Sequence, residues 1–295
     1  MTAMRLCDHQ TYLTTLRLLV AALSGVLILA TSTPSLAQSH GYPWLSAYDS
    51  AQCVAARFPT PAGYTRVSAA QGSFGDWLRH LPLQPGLPPV LLYNGEEKAL
   101  QDAHRAVVDI DVGNRDLQQC ADAIIRLRAE YLYSRDRIDS IRFPFTSGDT
   151  AYLSRWFLGD RPLVSNNHVQ WRRQTGRTHS YQSFREYLDC VFTYAGTQSL
   201  ERELRKVTDP RDLQIGDVFI IPGFPGHAVI VVDLAHNPDS GEKIFLLAQS
   251  YTPAQSIHAL RNLADSSLDP WYHLNPGDTL DVCGWLFTER HQRRF

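Results

Sequence analysis

The sequence predicts an α+β fold in which a central antiparallel sheet packs against a helix carrying Cys120. Three observations predict it. Gly216–Gln249 reads GDVFIIPGFPGHAVIVVDLAHNPDSGEKIFLLAQ, three apolar runs separated by turn residues. Asn114–Ser134 carries an apolar stripe at helical spacing. Ahead of both, residues 38–115 are cut by Pro and Gly into short pieces, an irregular N-terminal extension to a core at 116–295.

Residues 1–37 read as a secretory signal rather than as fold. Leu18–Ala30 is an apolar run behind Arg5 and Arg17, and Ser35-Leu36-Ala37 puts small residues at −3 and −1 of a cleavage site. The run falls short of the ~20 residues a spanning helix needs. Cleavage after Ala37 would leave residues 38–295 as a single α+β domain, periplasmic or secreted, with no stable membrane insertion. An uncleaved anchor is the alternative. No Cys stands at the cleavage point, so a lipoprotein is not expected.

The 295-residue chain is 44% hydrophobic and 20% charged with a formal net charge of −2, an ordinary globular balance. It lacks the basic excess of a nucleic-acid protein, and no polybasic run points to anionic lipid. Once Cys7 leaves with the signal, Cys53, Cys120, Cys190 and Cys283 remain, widely spaced and without zinc-ligand spacing, so neither metal nor other cofactor is expected. Four cysteines allow three pairings, or a free nucleophile with at most one disulfide.

Along residues 38–115 the pattern gives short helices over Ser46–Arg57 and Ser73–His80, and short strands over Val90–Tyr93 and Ala106–Ile110. In the next helix Leu117, Cys120, Ile124, Leu127 and Tyr131 form the stripe, Arg126, Arg128 and Glu130 fall off it, and Asn114 or Asp116 caps the start. Cys120 then lies in or near the first turn, where backbone N–H groups favour a thiolate. That predicts a free, partly exposed thiol of lowered pKa, against the alternative of a packed core cysteine. Arg142–Phe145 suggests a strand and Tyr152–Leu158 a helix broken at Gly159. Trp156 and Arg161 there suit either a substrate-groove wall or a packed surface helix. Helices are expected over Ser180–Gly196 and Thr197–Val207, an edge strand over Gly284–Phe287 and a solvated basic tail over Arg290–Phe295.

The three apolar runs are Val218–Ile221, Ala228–Leu234 and Lys243–Ala248, the last two joined by the turn cluster Asn237–Gly241. His227 and Gln249 are equidistant from Pro238, so a symmetric hairpin sets them opposite each other, with Cβ atoms about 5 Å apart. An amide oxygen there orients an imidazole, and an oriented base asks for a nucleophile, here Cys120. Of the eleven histidines, only His227 combines a strand start, a flanking glycine and such a partner; His104 and His258 could line a cleft.

In order and spacing, Gln119-Cys120-Ala121-Asp122, Gly216-Asp217-Val218-Phe219 and Gly226-His227-Ala228-Val229-Ile230 resemble the NlpC-type cysteine peptidases, which are papain-like cell-wall hydrolases. The likeness covers residues 117–250. At longer range QQCADAIIRLRAEYLY, YAGTQSL, PGHAVIVVD and FLLAQSYTPAQSIH look like an exported bacterial family catalogued as a domain of unknown function (4846), over nearly all of residues 38–295. The peptidase pattern usually has Asp-Cys-Ser-Gly around its nucleophile and His or Asn as third polar residue. This chain has Gln-Cys-Ala-Asp and Gln249, the latter at a longer gap from His227. The resemblance implies a papain-like fold and attack by Cys120 on an amide carbonyl. His227 would carry the proton, Gln249 hold the ring, and the Cys120 N–H with a donor from Gln118 or Gln119 stabilise the oxyanion. With export, it implies a peptidoglycan stem peptide or another cell-envelope amide as substrate, by hydrolysis or acyl transfer. The alternative is a non-catalytic envelope binding or assembly protein on the same fold.

Overall fold

A computed structural model describes residues 41–295 apart from positions 167 and 276. The expected signal at 1–37 lies outside the described residues. The helices are α1 (Val54–Arg57), α2 (Phe74–Arg79), α3 (Cys120–Ser134), α4 (Leu153–Phe157), α5 (Tyr181–Tyr194) and α6 (Thr197–Glu203). The strands are β1 (Thr65–Arg66), β2 (His104–Val107), β3 (Arg142–Pro144), β4 (Thr150–Tyr152), β5 (Asp160–Ser165), β6 (His168–Arg173), β7 (Arg205–Lys206), β8 (Val218–Ile221), β9 (His227–His236), β10 (Lys243–Gln249), β11 (His258–Leu260), β12 (Tyr272–His273), β13 (Leu280–Val282), β14 (Trp285–Phe287) and β15 (Gln292–Arg294). No helix among the described residues is long and apolar enough to cross a membrane.

The fold is mixed α and β around a mainly antiparallel sheet. Among the described residues its strand order is β2-β11-β10-β9-β8-β15-β7, with β1 added to β9 and β12 to β10. The expected runs form β8, β9 and β10, adjacent and antiparallel. Ala228, Ile230 and Val232 of β9 with Leu246 and Ala248 of β10 face Ile124, Leu127 and the rest of α3. Val229, Val231, Phe245 and Leu247 face the other way, onto Leu280, Val282 and Phe287 of the β13–β14 hairpin. Burying one such side chain stabilises by about 1.5–3 kcal/mol, so both faces of the central strands hold the sheet in place.

The hairpin is not symmetric about Pro238. From Lys243↔His236 to Leu246↔Asp233 the ladder runs in one register, and from Leu247↔Val231 to Ala248↔Ile230 in another. Val232 is the extra residue of a β-bulge. Continued one step, the ladder sets Gln249 beside Val229, so His227 is its diagonal rather than its direct neighbour.

Other expectations are also corrected. The Arg290–Phe295 tail is not a solvated terminus: β15 pairs with both β8 and β7. The buried Asp217 carboxylate accounts for this, accepting from Gln292 Nε2 at 2.8 Å and from Arg294 Nη2 at 2.7 Å. β14 pairs with β13 in a separate two-stranded sheet instead of edging the main one. The break read at Gly159–Pro162 leads directly into β5, which pairs with β6 as a hairpin. The first helix is shorter than Ser46–Arg57, α6 stops at Glu203, and Val90–Tyr93 makes only isolated bridges. Arg126 and Glu130, which fall off the apolar stripe, are nonetheless buried. Arg126 Nε donates to Glu130 Oε1 at 2.7 Å, and Tyr181 Oη donates to the same oxygen at 2.7 Å.

Candidate active site

Helix α3 starts at Cys120, later than the apolar stripe suggested. Gly113 has φ +85°, and the intended cap Asp116 is occupied elsewhere. Its Oδ1 accepts from Ala254 N at 2.7 Å and from Gln119 Nε2 at 3.1 Å, which ties the segment before the helix to the loop after β10. Gln119 is therefore the N-cap, with extended backbone, and Cys120 is the first helical residue. The Asp122 carboxylate folds back to accept from Gln119 N at 3.2 Å.

Cys120 is free but buried, with 8% of its surface exposed, and its acidity is opposite to expectation. Burial pushes the thiol up to about 11, and the neighbouring Asp122 carboxylate adds to the rise. The N–H groups of Ala228, Ala121 and Cys120 itself pull the other way without winning. A helix start helps a thiolate through a few oriented dipoles. Here desolvation outweighs them, and among the described residues no cation stands beside the sulfur to compensate. Asp122, also buried, has its own carboxyl raised well above the ordinary range by desolvation.

His227 opens β9 directly after a turn that leaves no room for a side chain. A Cβ on Gly226 would lie 2.5 Å from Gly223 O, 2.6 Å from Thr197 Oγ1 and 2.8 Å from Ile221 O. Thr197, first residue of α6, pins the same turn by donating to Gly223 O at 3.1 Å and accepting from Gly223 N at 3.2 Å. The imidazole Nε2 meets Gln249 Oε1 at 2.7 Å. Gln249 reaches it along the diagonal of the bulged ladder, a span that suits a long amide arm. Trp285 stacks on the ring at 5.1 Å and Tyr251 meets it edge-on at 5.1 Å, while Trp285 Nε1 donates to Tyr251 Oη at 3.1 Å. Nδ1 is buried and has no hydrogen-bond partner among the described residues. Burial lowers the His227 pKa to about 4, the Gln249 contact opposing, so the ring is a neutral imidazole at neutral pH.

Cys120 from the helix side and His227 from the hairpin side line one cleft of about 530 Å³. Gln119, Asp122, Thr197 and Trp285 share its wall, and Phe224, fully exposed, stands at its rim. Its acidic lining residues are Asp116 and Asp122; among the described residues no Lys or Arg lines it. Among the described residues no group of three His, Cys, Asp or Glu side chains is placed to hold a metal ion.

Of the residues singled out in the sequence, Cys120, His227, Gln249 and Gln119 come together here. Gln118 does not: it lies buried behind the helix start, its Oε1 accepting from Arg126 Nη1 at 2.9 Å. Trp156 and Arg161 form no wall of this cleft. The Arg161 guanidinium lies 3.7 Å over the Trp156 ring, and Trp156 Nε1 donates to Ser183 Oγ at 3.1 Å. Thr197, Tyr251, Trp285 and Asp122 escaped the sequence reading. Only Asp122, two residues from the cysteine, carried a local signal.

A family model described as Domain of unknown function (4846) matches residues 54–294. No curated protein and no solved structure matches the chain.

Proposed function

The chain belongs to the family described as Domain of unknown function (4846), and we propose that it is an exported cysteine-dependent amide hydrolase of papain-like, NlpC-type architecture. The observation that carries this reading is the clamped imidazole. Gln249 holds His227 by Nε2 at 2.7 Å, and the unpartnered Nδ1 belongs to a ring that lines the same cleft as Cys120.

The chemistry follows from the protonation states. The resting pair is a thiol and a neutral imidazole rather than a preformed ion pair. The thiol proton passes to His227 Nδ1 as sulfur attacks the amide carbonyl. The tetrahedral oxyanion takes a hydrogen bond from the Cys120 N–H, a first-turn donor that has no intrahelical acceptor. Collapse breaks the C–N bond, the leaving nitrogen takes the proton from His227, and an acyl-thioester remains. Water, activated by the same Nδ1, releases the acid and restores the thiol; an amine in place of water gives acyl transfer.

A cleft lined by the exposed Asp116 carboxylate and, among the described residues, by no Lys or Arg favours neutral or amine-bearing amides over acidic ones. Together with the export that residues 1–37 lead us to expect, this supports a cell-wall peptide as substrate. The buried thiol of raised pKa favours a second reading, a non-catalytic envelope-binding protein on the same scaffold. Purified peptidoglycan separates the two. Release of peptides by the wild type, seen by mass spectrometry and absent with folded Cys120→Ala, supports catalysis. Cosedimentation with peptidoglycan, without release from it or from a panel of peptide amides, supports binding alone.

A further inference from the structure

We propose that His258 is a positioning residue, which acts through Gln249 to hold His227 in the tautomer with Nδ1 as a free base. Its consequence for catalysis rests on the reading above; the tautomer itself does not.

Three histidine and amide side chains lie side by side across β9, β10 and β11. Gln249 pairs directly with His258 in the ladder, and both are buried. His258 Nδ1 lies 2.8 Å from Ser256 O. A backbone carbonyl only accepts, so Nδ1 must carry the proton. A neutral ring then has a lone pair at Nε2, which lies 3.4 Å from Gln249 Nε2. That nitrogen is an amide donor, so the Gln249 oxygen must point the other way, to His227 Nε2 at 2.7 Å. An oxygen requires a donor, so His227 carries its proton on Nε2 and leaves Nδ1 bare. Every assignment follows from one main-chain carbonyl.

The opposite amide orientation would turn the Gln249 oxygen toward His258 and require a proton on both of its nitrogens. The surroundings resist that imidazolium. The ring is wholly buried, Lys98, His104 and His227 face it, and the His104 ring packs edge-on at 6.1 Å. Burial and these neighbours hold the His258 pKa down to about 3, so the neutral form prevails under ordinary conditions. With His258 neutral, flipping the amide would set oxygen against a lone pair and leave the His227 Nε2–H facing another donor.

The test is the tautomeric state of His227, read by long-range 1H–15N correlation on protein with 15N-labelled histidine at pH 7. The wild type should show His227 protonated at Nε2 and His258 at Nδ1. His258→Phe fills the site but offers no acceptor, so the Gln249 amide can turn and His227 should populate the Nδ1–H form. His258→Gln, which restores an acceptor, should return it toward Nε2–H. On any amide substrate the wild type cleaves, His258→Phe should lower kcat tenfold or more with KM little changed. A wild-type His227 protonated at Nδ1, or a folded His258→Phe whose His227 remains wholly Nε2–H, would overturn the proposal. If the tautomers behave as stated and no amide is cleaved, the positioning role stands and the hydrolase reading fails.

Discussion

Alkylation of Cys120 by iodoacetamide reads its thiolate population, because the thiolate is the reacting form. Burial and Asp122 raise the thiol to about 11 from an ordinary 9.0. Two pKa units correspond to about a hundredfold smaller thiolate population at any pH below 9. Folded Cys120 should therefore react at pH 8 about a hundred times more slowly than the same residue in urea, and more slowly still because only 8% of the residue is exposed. Site-resolved mass spectrometry of time points in both states provides the ratio, with the exposed Cys283 as internal reference. The folded rate should climb with pH past 9 without a plateau near neutrality. In Asp122→Asn the profile should shift toward lower pH, since a carboxylate that disfavours the thiolate is gone. Labelling that is as fast in the folded as in the unfolded protein, or a plateau below pH 7, would mean a standing thiolate–imidazolium pair and refute the neutral resting state.

Other outcomes follow from the same geometry. Gly226→Ala drives a methyl against two carbonyl oxygens that cannot rotate away, so chemical denaturation should show a loss of about 1–3 kcal/mol, and turnover should fall further because His227 follows directly. His227 has a folded pKa of about 4 against an ordinary 6.5, so between those values the unfolded chain binds a proton the folded chain refuses, and stability is lost as pH falls. The full effect is about 3 kcal/mol below pH 4. Urea midpoints at pH 7.5 and 4.5 should converge in His227→Gln relative to wild type. Phe224 is fully exposed, so Phe224→Ala should change stability by less than about 0.5 kcal/mol while raising KM for any amide the cleft accepts.

The central strands and the cysteine helix were legible because their signals are local. Pro222-Gly223 and the Asn237–Gly241 cluster bound β-branched runs, and a stripe of period near 3.6 marks α3. The partnership of His227 with Gln249 was legible for a reason only partly right. Their shared face holds, but through a bulged register and a diagonal contact rather than a symmetric turn. What stayed hidden depends on distant partners. Arg294 reads as a solvated tail residue until Asp217 is known to be buried beside it, and Arg126 reads as surface until Glu130, Asp111 and Gln118 surround it. Cys120 shows the same limit for acidity. Its position in the helix was readable and predicted a lowered pKa, whereas desolvation, which decides the matter, belongs to the assembled fold.

The bulge at Val232 makes the site depend on a count of residues. In the outer half of the β9–β10 ladder, paired positions sum to 479; in the half nearest the cleft they sum to 478. An odd sum would set Gln249 beside Ile230, on the α3 side of the sheet, and leave His227 with a bare Nε2–H on the other. The extra residue shifts the phase by one and returns both side chains to one face. Chains that share this arrangement can thus vary the turn at 237–241 freely in length and the strand side chains in identity. A single insertion between Ala228 and Val231 is different: with the bulge at Val232 kept, it would leave every apolar residue hydrophobic and the sheet able to form, yet move His227 one step along the ladder, onto the face opposite Gln249. Parity, rather than the conservation of any one side chain, is the feature of this hairpin that a change in sequence can least afford to alter.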